Sequence, residues 1–164
     1  ETRLELLMHK LNDEISTIIR QIACYNFERE LHATFREKGY LSKIEIGEIF
    51  QRNMASYMGE SVDQSKGSAN WWIAWSHIRS FFYVYSYASG LLISKSLQES
   101  YKENHDFIEK VKDFFRAGTS DSVKNIFLKL NVDIGNPLFW DRGLKSIEEN
   151  LNEAESIAKK LGKI

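Results

Sequence analysis

Trp71-Trp72-Ile73-Ala74-Trp75-Ser76-His77-Ile78-Arg79-Ser80-Phe81-Phe82-Tyr83-Val84-Tyr85-Ser86-Tyr87-Ala88-Ser89-Gly90-Leu91-Leu92-Ile93 is the stretch on which the fold class turns. It is aromatic on nearly every side. Propensity alone allows a strand over residues 81–85, because aromatic and β-branched side chains suit a pleated surface. Length argues for helix: the apolar run continues through Leu97, and a buried helix fits so long a segment better than a strand does.

The flanking sequence reads as helix throughout. Upstream, Leu4, Leu7, Leu11, Ile15, Ile18, Ile22, Tyr25 and Leu31 recur at three- and four-residue steps without Gly or Pro, which predicts one long amphipathic helix over residues 4–35, stopped by Gly39. Ser42 with Glu45 forms an N-cap signature, and Ile46, Ile49, Phe50, Met54 and Tyr57 carry a second helix to Gly59. Residues 60–70 are polar and aperiodic, a short loop. Downstream, Asn104 or Asp106 opens a helix ending at Gly118, and Ser120 caps another through Leu130. Pro137 suits the first position of a last helix over residues 138–161. The expectation is an all-α fold of about six helices in a single domain over residues 1–164, without internal repeat.

A chain of 164 residues buries a core without disulfides or a structural metal. Its 22 Lys and Arg balance 23 Asp and Glu and are scattered, so no field draws in nucleic acid or an anionic membrane. Cys24 has no partner cysteine, which favours a reducing compartment, and the expected localisation is cytoplasmic. No stretch approaches the roughly 20 apolar residues of a membrane span, and no signal-peptide pattern opens the chain. The chain starts at Glu1, directly in helical periodicity, and reads as a fragment of something longer.

The chemistry-bearing segment is 77–90, where an imidazole and several phenols crowd a short piece of chain. On a helix beginning near Phe81, Tyr83 and Tyr87 lie one turn apart on one face and Tyr85 points away. His and Tyr beside an acyl-transfer site donate protons to an oxygen that becomes negative in the tetrahedral intermediate. Composition alone favours the plainer reading, an aromatic core with a satisfied histidine. Trp72 to Gly90, read as Trp-x-x-x-x-His-x-x-x-x-Phe-Tyr-Val-Tyr-x-Tyr-Ala-x-Gly, resembles the substrate-binding signature of the oligoendopeptidase F branch of the thimet oligopeptidase-like family. Arg20-Gln21 through Phe27-Glu28 to His32, Leu41-Ser42, Tyr57-Met58-Gly59, the 114–120 stretch and Val132-Asp133-Ile134 before Pro137 fall in the same family's order, so the resemblance covers nearly the whole chain.

That resemblance implies hydrolysis of short peptides by a zinc-bound water, the metal held by a His-Glu-x-x-His helix and a further Glu. No His-Glu-x-x-His occurs in this sequence. The implied part is therefore the C-terminal, substrate-side portion, partnered by a metal-bearing N-terminal part, with no zinc expected on this chain and no activity alone. The resemblance implies contacts of His77 and Tyr85 with the scissile peptide or its oxyanion, with Tyr83 beside them. Phe82 stands where the thimet branch tends to have another Tyr. The rival reading is a catalytically inactive helical module that binds a peptide or protein, and a face left uncovered predicts an apolar patch and self-association.

Other features carry blander readings beside sharp ones. Glu28 and His32, one helical turn apart, have a metal-sharing spacing but read more simply as a hydrogen-bonded pair. Trp71, Trp72 and Trp75 read as packing rather than a stacking platform. Cys24 reads as a small buried hydrophobe rather than a nucleophile. Gly59 and Gly67 have the wrong spacing for a phosphate loop.

Overall fold

The computed structural model describes residues 1–60, 62–64 and 67–164. Among these the chain forms α1 (Thr2–Thr17), α2 (Ile19–Lys38), α3 (Lys43–Met58), α4 (Tyr85–Glu103), α5 (Phe107–Ala117), α6 (Val123–Lys129) and α7 (Pro137–Lys160), with 3-10 turns at Ser68–Ile73 and Ser76–Arg79 and no strand. The all-α expectation holds. Two compact units can be distinguished, one made of Glu1–Asn12 and Gly90–Ile164 and the other of Asp13–Ser89.

The long first helix is interrupted once, at Ile18, where φ −102° and ψ −69° depart from ideal values. The hydrogen-bond ladder survives the interruption: Ile18 N–H donates to Glu14 O and Ile22 N–H to Ile18 O, both at 2.9 Å. Ile15, Thr17, Ile18 and Ile19 crowd β-branched side chains onto this turn, which accounts for a local distortion without a break. The split gives seven α-helices where about six were expected. A larger correction concerns the aromatic stretch. Residues 71–84 do not continue a buried helix; they form the two 3-10 turns and a reversal, and α4 begins only at Tyr85. A chain apolar on every side has more surface than this small unit can cover. The turns send Ile78 and Val84 inward and leave Trp71, Ile73, Phe81, Tyr83 and Tyr85 exposed.

In the Asp13–Ser89 unit, α2 ends as expected at Gly39, whose left-handed backbone (φ 76°) lets its N–H reach Phe35 O at 2.8 Å. The capping box also forms. Glu45 N–H donates to Ser42 Oγ at 3.3 Å while Ser42 N–H donates to Glu45 Oε2 at 2.9 Å. The core joins Ala23, Cys24 and Phe27 of α2 to Ile49, Phe50 and Met54 of α3, with Ile78 and Val84 closing it. Phe27 meets Phe50 edge to face at 5.1 Å. Gly47 keeps α3 bare where Ala69 passes: a Cβ there would stand 3.1 Å from the Ala69 Cβ. The expected loop over residues 60–70 already enters the first 3-10 turn at Ser68, and its Ser61, Ser65 and Lys66 lie outside the described residues.

In the other unit, Leu4, Leu7 and Leu11 of α1 pack with Ala154 of α7, and Arg3 grips Glu153 with two hydrogen bonds of 2.9 Å. α5 starts at Phe107 behind Asp106, whereas α6 is capped by Ser122, which accepts from Asn125 N–H, rather than by Ser120. Pro137 occupies the first turn of α7 as expected. Ser96 Oγ donates to Phe139 O at 2.6 Å, and α7 presses its Gly143 against α4 at the same place. Alanine propagates a helix better than glycine by about 1 kcal/mol, so an open site would gain from Gly143→Ala. Here the added Cβ would stand 2.9 Å from Leu92 O and 3.1 Å from Ser96 Oγ. Overpacking decides the sign: Gly143→Ala is expected to destabilise by about 1–3 kcal/mol, seen as a lower urea midpoint at unchanged slope.

Candidate functional site

The connection between the second 3-10 turn and α4 carries the candidate residues, and its backbone is strained. Phe81 and Phe82 both adopt left-handed conformations, with φ 51° and 62°, at a cost on the order of 1–3 kcal/mol for each bulky residue. The Phe82 ring packs onto α2, with its centroid 5.6 Å from that of Tyr25 and 5.2 Å from that of His32. Phe81 has no such compensation and is 97% exposed.

This reversal lays the Tyr83 ring over the His77 imidazole, 5.5 Å away and 19° from parallel. Tyr87, in the first turn of α4, stands edge-on to both, at 5.4 Å from His77 and 5.7 Å from Tyr83. Its hydroxyl lies 2.9 Å from His77 Nε2. Of His77, Tyr83 and Tyr85, the structure brings the first two together and adds Tyr87. Tyr85 is exposed at the start of the helix. The sequence placed Tyr83 and Tyr87 on one face but did not join Tyr87 to His77.

The His77–Tyr87 hydrogen bond has two forms. If the phenol donates to Nε2, the neutral imidazole carries its proton on Nδ1; if Nε2–H donates, the phenol keeps its proton for another acceptor. Either form leaves one polar hydrogen to offer to an incoming oxygen. His77 also lines a pocket of about 190 Å³ with Arg20, Gln21, Trp75 and Val84. Trp75 packs edge-on against Phe50 at 5.9 Å and Trp72 lies against the same core, so these two tryptophans build a wall; Trp71 remains exposed.

Neither reading of Glu28 with His32 holds. Glu28 is fully buried and neither carboxylate oxygen has a partner within hydrogen-bond geometry, whereas His32 stays exposed against Phe82. Loss of water raises the Glu28 pKa from 4.5 to about 7, opposed only in part by the Phe82 N–H. Burial first, then the nearby Glu28 charge, pushes the Cys24 thiol up to about 12, against a smaller opposing pull from Arg20. That thiol is inert as a nucleophile near neutrality, in keeping with its packing role.

The sequence profile of Peptidase family M3 matches residues 1–146. The chain belongs to peptidase family M3. Among its relatives, Oligopeptidase PepF of Bacillus subtilis (strain 168) is 28% identical over 97% of this chain and 24% of its own length. Group B oligopeptidase PepB of Streptococcus agalactiae is 26% identical over 98% of this chain and 27% of its own length. The chromosomal Oligoendopeptidase F of Lactococcus lactis subsp. cremoris is 25% identical over 96% and 26% respectively. The chain thus spans about a quarter of the length of these relatives. No solved structure matches it significantly.

Peptidases of the M3 family are zinc-dependent in general. Among the described residues, no three His, Cys, Asp or Glu side chains gather as a ligand set. The orphaned Glu28 carboxylate faces the Phe82 amide rather than an imidazole, so these residues do not fit a zinc site. Among the described residues, no helix is long and apolar enough to cross a membrane.

The Glu28 shift has a measurable consequence. Its folded pKa of about 7 exceeds its ordinary 4.5, so between these values the folded state binds more protons than the unfolded state, and stability falls as pH rises. Urea unfolding is expected to show a decline on the order of 3 kcal/mol from about pH 4.5 to above pH 7. Glu28→Gln should flatten that decline, and an equal slope in both proteins would refute the assignment.

Proposed function

We propose that this M3 chain is the substrate-side helical part of a zinc oligopeptidase. It holds short peptides against His77, Tyr83 and Tyr85, while a metal-bearing segment of the enzyme supplies zinc and general base. The supporting observation is the accessible cluster of His77 stacked on Tyr83 and hydrogen-bonded to Tyr87, whose polar hydrogen is available to a carbonyl oxygen. As that oxygen gains negative charge in a tetrahedral intermediate, a donor already in place stabilises it without reorganisation. The names of the relatives, oligopeptidase and oligoendopeptidase, agree with a peptide as ligand.

Tyr85 fits this reading as an exposed phenol at the start of α4, presented to an extended ligand rather than to His77. Exposed Ile15, Ile19 and Ile22 in one unit and Leu138, Leu144 and Leu151 in the other supply apolar surface for the remainder of the enzyme or for a second copy of the chain. A buried free thiol suits the reducing cytoplasm.

The purified chain should not hydrolyse a quenched fluorescent peptide of about ten residues, with or without added zinc. The same peptide should bind and shift the His77 imidazole resonances, and His77→Ala or Tyr83→Ala should weaken binding by roughly three- to tenfold. Zinc-dependent turnover by the chain alone would overturn the division of labour. Binding that ignores both substitutions would remove the cluster from the peptide site.

A further inference from the structure

We propose that the pocket formed by Arg20, Gln21, Trp75 and His77 is a subsite for the terminal carboxylate of a bound peptide. The inference rests on the peptide-site reading of His77 and gives that site a direction. Its first support is the state of Arg20. Arg20 is the one arginine of the chain withdrawn into intermediate burial; the other arginines are exposed. Exposed arginines need no counter-ion, because water solvates them. A guanidinium drawn out of water ordinarily takes a carboxylate partner.

Arg20 has none among the described residues. Its Nε donates to Tyr57 Oη and its Nη2 to Ser16 Oγ, each at 3.0 Å, and both acceptors are neutral. Glu28 is not its counter-ion: eight residues of helix separate them, about 12 Å along the axis. Two of the five guanidinium hydrogens are thus engaged, and the side chain is held in place by groups that leave its charge uncompensated. Arg142, which lines a separate pocket with Glu103, shows the contrast, since Glu103 already pairs with it at 3.2 Å.

The second support is what surrounds Arg20. Its pocket of about 190 Å³ also presents the Gln21 amide, the Trp75 ring and His77. One fixed positive charge balances one negative charge, and the remaining guanidinium hydrogens match a planar, two-pronged acceptor, which describes a carboxylate better than a doubly charged phosphate. Trp75 supplies an apolar wall for the residue that bears the carboxylate. A peptide anchored here by its terminus lies with its last peptide bonds beside His77, which connects the subsite to the proposed oxyanion donors.

The test uses the whole chain labelled for resonance of the Arg20 Nε–H and the His77 ring. Three N-acetylated tripeptides are titrated: a free acid, its C-terminal amide, and an amide carrying an internal Asp. N-acetylglycine and inorganic phosphate serve as small-anion probes. The expected result is that the free acid shifts Arg20 and His77 and binds roughly tenfold more tightly than either amide. N-acetylglycine should shift Arg20 more than phosphate does. Arg20→Met should bring the free acid down to the level of the amide, and Arg20→Lys should keep part of the preference. The acid–amide comparison in the unsubstituted chain stands even if Arg20→Met does not fold. Equal binding of acid and amide with His77 shifted would overturn the subsite and leave the peptide site intact. An internal Asp as effective as the free terminus, or phosphate preferred over N-acetylglycine, would also overturn it. Arg20 responding to N-acetylglycine while no peptide reaches His77 would support the carboxylate pocket and defeat the peptide-site reading.

Discussion

The arrangement around His77 depends on one costly constraint, two consecutive phenylalanines held with left-handed backbone. The chain leaves a 3-10 turn at Arg79 and enters α4 at Tyr85, so it must reverse within five residues. Glycine would make that reversal without steric cost. The Phe82 ring partly offsets its own strain by packing on Tyr25 and His32. The reversal is therefore fastened to α2, and α2 in turn is fixed to α3 by Phe27 and Phe50. Tyr83 and Tyr87 reach His77 because this fastening sets where α4 begins. Relaxing the turn would separate the imidazole from both phenols while leaving the helices intact.

A second unfavourable element lies beneath the first. Glu28 is buried without a hydrogen-bond partner in good geometry, and the donor that acts on it is the amide of the strained Phe82. Orphaned carboxylates and left-handed aromatic residues are each uncommon. Their meeting at one backbone amide, one residue before Tyr83, concentrates the local cost of this unit where its exposed polar cluster is built. Stability spent at such a place is characteristic of functional surfaces.

The elements legible in the sequence were those written locally. Gly39, the Ser42–Glu45 capping box and Pro137 each act through their own backbone neighbours, and each lies where periodicity placed it. The aromatic stretch was not legible in the same way. Its apolar residues fit a helix as well as they fit turns, and the deciding factor is how much surface α2 and α3 have left to cover it. Phe81 and Phe82 carry no local signal for left-handed backbone, since that conformation is favoured by Gly or Asn and here is imposed by packing. The inward face of α2 was also set by its surroundings. Ile22 fits the apolar period yet remains exposed, while Cys24, Phe27 and Glu28 are buried. A carboxylate within the row Cys24, Phe27, Glu28, Leu31 was the available sign that burial of Glu28 was in question.

Arg20, Cys24, Glu28 and His32 are spaced at four residues and so follow one face of α2. Their burial is graded: Arg20 is intermediate, Cys24 and Glu28 are fully covered, and His32 is exposed. The covered middle of that row is where the reversal docks, and Arg20 opens at one end onto the pocket shared with His77. Cys24 lies one helical turn from a cation and one from an acid, so its thiol feels both. One helix face thus supports the strained turn and presents an unpaired positive charge beside the imidazole. The two tasks are coupled because helical geometry fixes their separation: a change that rotated α2 to cover Arg20 would also withdraw Glu28 and His32 from Phe82.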